Sequence, residues 1–212
     1  MNNKTQELYA YDKEYKNRGY KYLAGCDEAG RGPMAGPLVV ASCILGEDII
    51  EGVRDSKKIS SKKREELEKT IKDKAIDYKI VFINEKYVDK MNVYQASKQG
   101  MIDCVRGLSK VDYVLTDAMP LNFEYPSTSI IKGDDTSAAI AAASILAKTA
   151  RDRFMLLLDK EYPMYGFIHN KGYCTKAHMD AIKKYGICKY HRTSFAPVRK
   201  IMERDNNGIK GI

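Results

Sequence analysis

Four acidic residues stand where apolar runs end. Asp27-Glu28 closes the run from Tyr20, Asp117 closes Val111 to Thr116, and Asp134 lies between Thr128 to Ile131 and a long alanine-rich stretch. Carboxylates gathered around one cavity repel one another unless cations neutralise them. An all-oxygen donor set without His or Cys suits Mg²⁺ or Mn²⁺. Two such ions about 3.5–4 Å apart can hold the attacking and the leaving oxygen of a phosphodiester displacement. Taken singly, each acid fits a strand-end cap or turn former better; the metal reading is carried by four of them together with a glycine-rich loop. That loop, Gly30 to Pro37 (GRGPMAGP), has three glycines and two prolines in eight residues. Such a loop cannot be helical, and its backbone can approach a ligand closely.

The acids meet only if the elements carrying them are neighbours. Thr5 to Lys16 reads as a short polar helix and Tyr20 to Asp27 as the first strand. Leu38 to Leu45 reads as a buried second strand, making a hairpin with the first around the glycine-rich loop. Asp55 to Lys58 is a polar loop. Ser60 or Ser61 then caps a helix with Glu65 and Glu66 in its first turn. Tyr78 to Ile83 is a third strand, Asn92 to Leu108 a helix, Val111 to Thr116 a fourth strand and Thr128 to Ile131 a fifth. Lys132 to Asp135 turns into a long helix, Ser137 to Lys160, whose small residues let it lie close to a sheet. Tyr162 to Tyr173 reads as loop, Thr175 to Tyr185 as helix, and the tail as basic and flexible. Strands first, then strands alternating with helices, predict an α/β fold with a mixed sheet. If strands one and four are adjacent, the acidic ends converge.

Composition narrows the partners. The chain has 212 residues, 30% of them charged, and a net charge of +8. From Asn170 to Ile212 there are ten Lys/Arg against three Asp/Glu, so nearly all the excess lies in the last fifth. A basic patch of this kind fits a polyanion such as nucleic acid, and equally a solvated basic face. The five cysteines form no CxxC pair, which favours a reducing compartment, the cytoplasm, over a disulfide framework. Met1 to Arg18 lacks an apolar signal core, and Lys148 and Arg151 end the apolar stretch Ala138 to Ala147 short of a membrane span. Glycines at 30, 32 and 36 miss the GxGxxG spacing, no P-loop occurs, and the three histidines lack zinc-ligand spacing.

The block GCDEAGRGPMAGPLVVAS (Gly25 to Ser42) resembles the ribonuclease HII family. So do DSKKIS (Asp55 to Ser60), MNVYQAS (Met91 to Ser97), TDAM (Thr116 to Met119), KGDDTSAAIAAASILAKTARD (Lys132 to Asp152), KGYCTKAH (Lys171 to His178) and HRTSFAPV (His191 to Val198). The loop GRGPMAGP favours type HII over the sister type HIII, as does the short stretch before Asp27. The resemblance implies an RNase H-like fold: a mixed five-stranded sheet flanked by helices, with a C-terminal helical extension. Its division would be an N-terminal helical extension over residues 1–19, a catalytic core over 20–160 and a basic helical part over 161–212. It implies an endonuclease that cuts RNA in RNA–DNA hybrids and cuts 5′ of ribonucleotides embedded in duplex DNA, leaving 3′-hydroxyl and 5′-phosphate ends; a monomer is expected. The carboxylates carried over are Asp27, Glu28, Asp117 and Asp134, with two Mn²⁺ or Mg²⁺ ions as cofactors.

The resemblance also gives substrate roles. Gly30-Arg31-Gly32 would read the ribose 2′-OH through backbone groups, and Tyr173 would stack on the sugar at the RNA–DNA junction. Physics agrees: telling RNA from DNA requires touching the 2′-OH, and glycine lets main-chain groups reach it. Lys57, Lys58, Arg31, Lys148, Lys176 and Arg192 are candidate phosphate contacts. Asn92 either contacts substrate backbone or caps the helix it begins. The chain departs from the family pattern at Cys174, where glycine is usual, and at His169-Asn170, whose order is unusual. The alternative is a non-catalytic basic nucleic-acid-binding domain, which would not need four carboxylates. No protein-partner motif is evident in the last residues.

Overall fold

The computed structural model describes residues 3–54 and 59–208. In chain order they form α1 (Asn3–Asn17), β1 (Leu23–Ala29), β2 (Leu38–Leu45), α2 (Ser61–Lys74), β3 (Ala75–Ile83), α3 (Glu85–Met91), α4 (Val93–Arg106), β4 (Tyr113–Asp117), β5 (Ser127–Ile130), α5 (Ala138–Glu161), α6 (Phe167–Asn170), α7 (Lys176–Tyr185) and α8 (Ala196–Gly208). The strands make one sheet in the order β3-β2-β1-β4-β5. β1 is antiparallel to β2 and parallel to β4, and β4 is parallel to β5. The sheet is mixed, as the strand pattern predicts, and β1 and β4 are neighbours.

The chain folds as two compact units. The first comprises Met1–Ala29, Val39–Phe82 and Ser97–Ala150; the second comprises Gly30–Leu38, Ile83–Ala96 and Arg151–Ile212. In the first unit β2 is buried along its whole length. Val39, Ala41, Cys43 and Leu45 form a core with Ala138, Ala141, Ala142, Ile145 and Leu146 of α5. Small side chains on α5 bring the helix backbone close to the sheet. Gly25 on β1 completes the approach: a Cβ there would stand 2.1 Å from the Ala139 carbonyl carbon and 2.3 Å from the Ile140 nitrogen.

α1 fastens the start of α5. Leu8, Asp12 and Tyr15 lie on its buried side, spaced i, i+4, i+7. Asp12 Oδ2 accepts a 2.8 Å hydrogen bond from the Ala139 N–H, one of the free donors at the helix N-terminus. Burial pushes the Asp12 carboxyl up to about 6, while its hydrogen bonds to Ser137 and Ala139 pull the other way.

The second unit has its own core of Met34, Met155, Leu158, Tyr165, Phe167, Ile182, Val198 and Ile201. Its last element corrects the expected flexible tail: Ala196–Gly208 is helical. Val198, Ile201 and Met202, at i, i+3 and i+4, give that segment an apolar stripe that joins the core. The sequence reading also missed α3, whose N-cap Asn84 accepts the Tyr87 N–H at 2.8 Å. Glu65 and Glu66 lie outside the first turn of α2, because Ser60 is the cap and the helix starts at Ser61. Tyr162 to Tyr173 is not plain loop, since Pro163–Tyr165 forms a 3₁₀ turn and α6 comes after it. Among the described residues no helix is long and apolar enough to cross a membrane.

Candidate active site

Strand register brings the first two acids together. Cys26 is paired with Thr116 across the parallel β1–β4 ladder, so the next residues, Asp27 and Asp117, stand side by side where that ladder ends. The third arrives through a tight connection from β5. Lys132 adopts left-handed backbone geometry, and Gly133–Asp135 makes a 3₁₀ turn before α5 begins. The Gly133 N–H donates to Asp117 Oδ1 at 2.7 Å. A Cβ on Gly133 would stand 2.6 Å from Ile140 Cδ1 and 3.3 Å from Asp117 Cα, so this close passage needs glycine. Carboxylate oxygens of Asp27, Asp117 and Asp134 consequently lie within 4.8 Å of one another.

The cluster is held under electrostatic and conformational strain. Asp27 and Asp134 are both buried. Burial, then the charges of Glu28 and Asp117, hold the Asp27 carboxyl well above the usual carboxylate range. The Ser144 side chain and the Glu28 N–H, the latter at 2.7 Å from Asp27 Oδ1, oppose that rise. Ala118 and Lys132, which flank Asp117 and the Asp134 turn, have φ of 47° and 57°. Such backbone costs on the order of 1–3 kcal/mol per residue and persists where the surroundings over-determine it. Three convergent carboxylates with no nitrogen or sulfur donor are a donor set for a hard divalent cation, so the residues fit the expected metal.

Glu28 does not join the 4.8 Å group. Side chains alternate along a strand, which turns residue 28 away from residue 27. The fourth carboxylate is near enough to repel Asp27, though it lies outside the 4.8 Å group.

The remaining sequence candidates fall in different settings. Arg31 and Gly32 are exposed, and Tyr173 is 49% exposed. A Cβ on Gly32 would sit 3.3 Å from Tyr173 Cε1, so the loop backbone and the tyrosine ring are neighbours within the second unit. Gly30 has a φ of 103°, with Arg151 Nε 2.3 Å from where a Cβ would stand. Lys176 is exposed at the start of α7, and Lys148 is half-buried on α5. Asn92 caps α4: its Oδ1 accepts the Gln95 N–H at 3.1 Å. Lys57 and Lys58 lie outside the described residues. Cys174 is exposed, and Asn170 binds the Gly172 N–H at 2.8 Å and the Tyr165 carbonyl at 2.6 Å.

Arg192 corrects the expectation of a direct phosphate contact. It is fully buried, and its guanidinium donates to the Gly36 carbonyl at 3.1 and 2.7 Å and to the Arg31 carbonyl at 3.4 Å. Burial, then the charge of Arg151, pulls it down to about 10. Arg151 acts alike, donating to Pro37, Lys171 and Ala35 carbonyls at 3.0, 3.0 and 3.2 Å. The glycine-rich loop cannot satisfy these carbonyls by secondary structure, so two buried forks do it. Arg192→Lys should therefore lower stability by about 2 kcal/mol, because one ammonium leaves fork-bound carbonyls unsatisfied. Denaturant midpoints check this. A lysine variant of wild-type stability that binds duplex with a steeper salt dependence would restore the phosphate role.

Sequence reasoning missed Arg151 and Asp12. Asp12 had a signal, since it falls on the Leu8–Tyr15 face of α1. Arg151 had none, because nothing in helix periodicity reveals which carbonyls a long side chain will reach.

A model of the ribonuclease HII family matches residues 24–198. Ribonuclease HII of Bacillus mycoides is 47% identical over 203 residues, covering 95% of this chain and 79% of that protein. Ribonuclease HII of Acetivibrio thermocellus is 50% identical over 196 residues, covering 91% and 77%. The crystal structure of ribonuclease H2 from Pyrococcus horikoshii superposes with a TM-score of 0.75 at 28% identity, over 87% of this chain and 98% of that one. The fold is the RNase H-like α/β fold that the motifs imply, and the type is HII rather than HIII. The family match spans most of the chain, which belongs to the ribonuclease HII family, enzymes with ribonuclease H activity.

Proposed function

We propose that the chain is a divalent-metal-dependent endonuclease that hydrolyses RNA in RNA–DNA hybrids and cuts 5′ of single ribonucleotides in duplex DNA, leaving 3′-hydroxyl and 5′-phosphate ends. The observation that carries this reading is the convergence of Asp27, Asp117 and Asp134 within 4.8 Å. Burial, then the charges of Glu28 and Asp117, hold Asp27 above its ordinary range, an arrangement poorly suited to an empty site and well suited to cations. Asp27, Glu28, Asp117 and Asp134 would hold Mg²⁺ or Mn²⁺. Ions bound there would supply activation of the attacking water and neutralisation of charge on the leaving oxygen.

The protein's own groups select and orient the substrate. Gly30-Arg31-Gly32 offers main-chain donors and acceptors to the 2′-OH, and the buried forks of Arg151 and Arg192 keep that loop in one shape. A preformed polar site rejects the nucleotide lacking its partner by more than apolar packing can. Tyr173 stacks on the sugar at the junction. Lys176, Lys148, Arg31, Lys57 and Lys58 steady phosphates, and Asn92, at the start of α4, contacts the substrate backbone. Five free cysteines support a reducing cytoplasmic setting for work on DNA.

The test is a labelled duplex carrying one ribonucleotide, incubated with Mg²⁺ or Mn²⁺. A single cut on the 5′ side is expected, with product ends that a ligase or polymerase accepts as 3′-hydroxyl. An all-DNA duplex should stay intact. Binding of both duplexes without cleavage in either metal would favour the non-catalytic alternative.

A further inference from the structure

We propose that His178 is a positioning residue for Tyr173, and that His191 holds it in the donor form this requires. The inference rests on the reading of Tyr173 as the junction residue.

The tautomers are set by the partners. The Tyr173 carbonyl lies 2.9 Å from His178 Nδ1. A carbonyl has no proton to give, so Nδ1 carries one. A neutral imidazole protonated there has a lone pair at Nε2, which lies 3.1 Å from His191 Nε2. That contact is a hydrogen bond only if His191 donates from Nε2. His191 Nδ1 is then an acceptor, and the Cys188 N–H stands 2.9 Å from it. The Cys188 thiol, at 3.3 Å, can donate to the same nitrogen. The Cys188 carbonyl, also at 3.3 Å, would need a proton on Nδ1 and would reverse the whole chain, leaving the Tyr173 carbonyl facing a lone pair. One proton arrangement runs Cys188 N–H to His191, His191 to His178 and His178 to Tyr173, and the Cys188 carbonyl takes the His191 main-chain N–H at 3.0 Å instead of the ring.

The setting keeps both rings neutral and fixed. His178 is fully buried and His191 is 3% exposed. Tyr165 and Phe167 meet His178 edge-on, at centroid distances of 6.1 and 5.3 Å. Burial pulls His178 down, and burial with His178 as neighbour pulls His191 down to about 4.

The pair acts where the substrate residues are. Tyr173 has an exposed ring on a backbone tied at three points: its N–H to Asn170, and its carbonyl to the Thr175 N–H and to His178. His191 forms a backbone bridge with Ala35 of the glycine-rich loop, and the Met34 N–H binds the Gly172 carbonyl at 2.9 Å. The imidazole pair thus sets the tyrosine against the loop that carries Gly32. A stacking group displaced by an ångström loses much of its effect on the reacting geometry.

Two measurements test this. In ¹⁵N-labelled protein, long-range ¹H–¹⁵N correlations should show His178 protonated at Nδ1 and His191 at Nε2; the opposite pair of tautomers overturns the relay. In cleavage assays, asparagine places a donor near Nδ1 and glutamine one near Nε2. His178→Gln should lower kcat at a single ribonucleotide on the order of tenfold, with duplex Kd within about twofold of wild type, while His178→Asn keeps most activity. In a Tyr173→Ala background His178→Gln should cost nothing further. Equal losses in both variants, or full additivity with Tyr173→Ala, overturn the positioning role. If Tyr173→Ala itself cleaves normally, the reading of Tyr173 fails and the positioning role with it, whereas the tautomers judge the relay alone.

Discussion

Asp27→Asn is expected to reduce cleavage at a ribonucleotide by a thousandfold or more, equivalent to about 4 kcal/mol in activation free energy, in either Mg²⁺ or Mn²⁺. The same variant should be more stable than wild type in chelator, by roughly 1–2 kcal/mol. Both effects have one cause. Asp27 is buried beside Glu28 and Asp117, and its pKa stands well above the ordinary carboxylate range. The folded state therefore holds a proton that the unfolded chain releases, and wild-type stability falls as pH rises from about 4 through the raised value. Asparagine keeps the oxygen that accepts the Glu28 N–H and removes the charge. It also removes a metal donor. Added metal should stabilise wild type by about 2.7 kcal/mol at a hundred times its Kd and the variant far less. Thermal melts with and without chelator, beside single-turnover cleavage, read all three. An Asp27→Asn protein that cleaves at wild-type rate would end the metal reading of this cluster.

Gly25→Ala is expected to cost about 3 kcal/mol or more and to weaken metal binding at temperatures where the variant stays folded. The added methyl would lie 2.1 to 2.4 Å from backbone atoms of Ala139 and Ile140. Backbone cannot rotate away as a side chain can, so α5 must move off β1. That movement is opposed at both sides of Asp134, by the Gly133 N–H on Asp117 and the Ala139 N–H on Asp12. The strain falls on the turn that brings Asp134 to Asp27. Denaturant midpoints and metal titration by calorimetry measure the two effects. Wild-type values in both would mean that α5 does not press on the strand at this point.

Much of this was legible because local signals agreed. β2 has the bounds predicted from its run of Val, Ile and small residues. α7 begins after Thr175, whose side chain accepts the His178 N–H. Adjacency of β1 and β4 was a condition of the site, and the sheet order meets it. Errors fell where the deciding partner is distant in sequence. Arg192 reads as a phosphate contact in a basic, exposed-looking motif, yet the Gly36 and Arg31 carbonyls take its donors, about 160 residues away along the chain. α8 reads as tail until its Val198 and Ile201 meet Phe167 and Ile182.

The amino-acid sequence alone determined which residues can do chemistry, the order of the strands along the chain and the family. Those depend on residue types, spacing and local backbone preference. Tertiary structure decided which acids converge and which side chains serve the backbone. Asp27, Asp117 and Asp134 meet because parallel register aligns two strand ends and a glycine lets the third turn pass. Glu28, adjacent in sequence to Asp27, stays outside that group because a strand alternates its faces. Proximity along the chain and proximity in space are set by different forces, and the chemistry depends on the second.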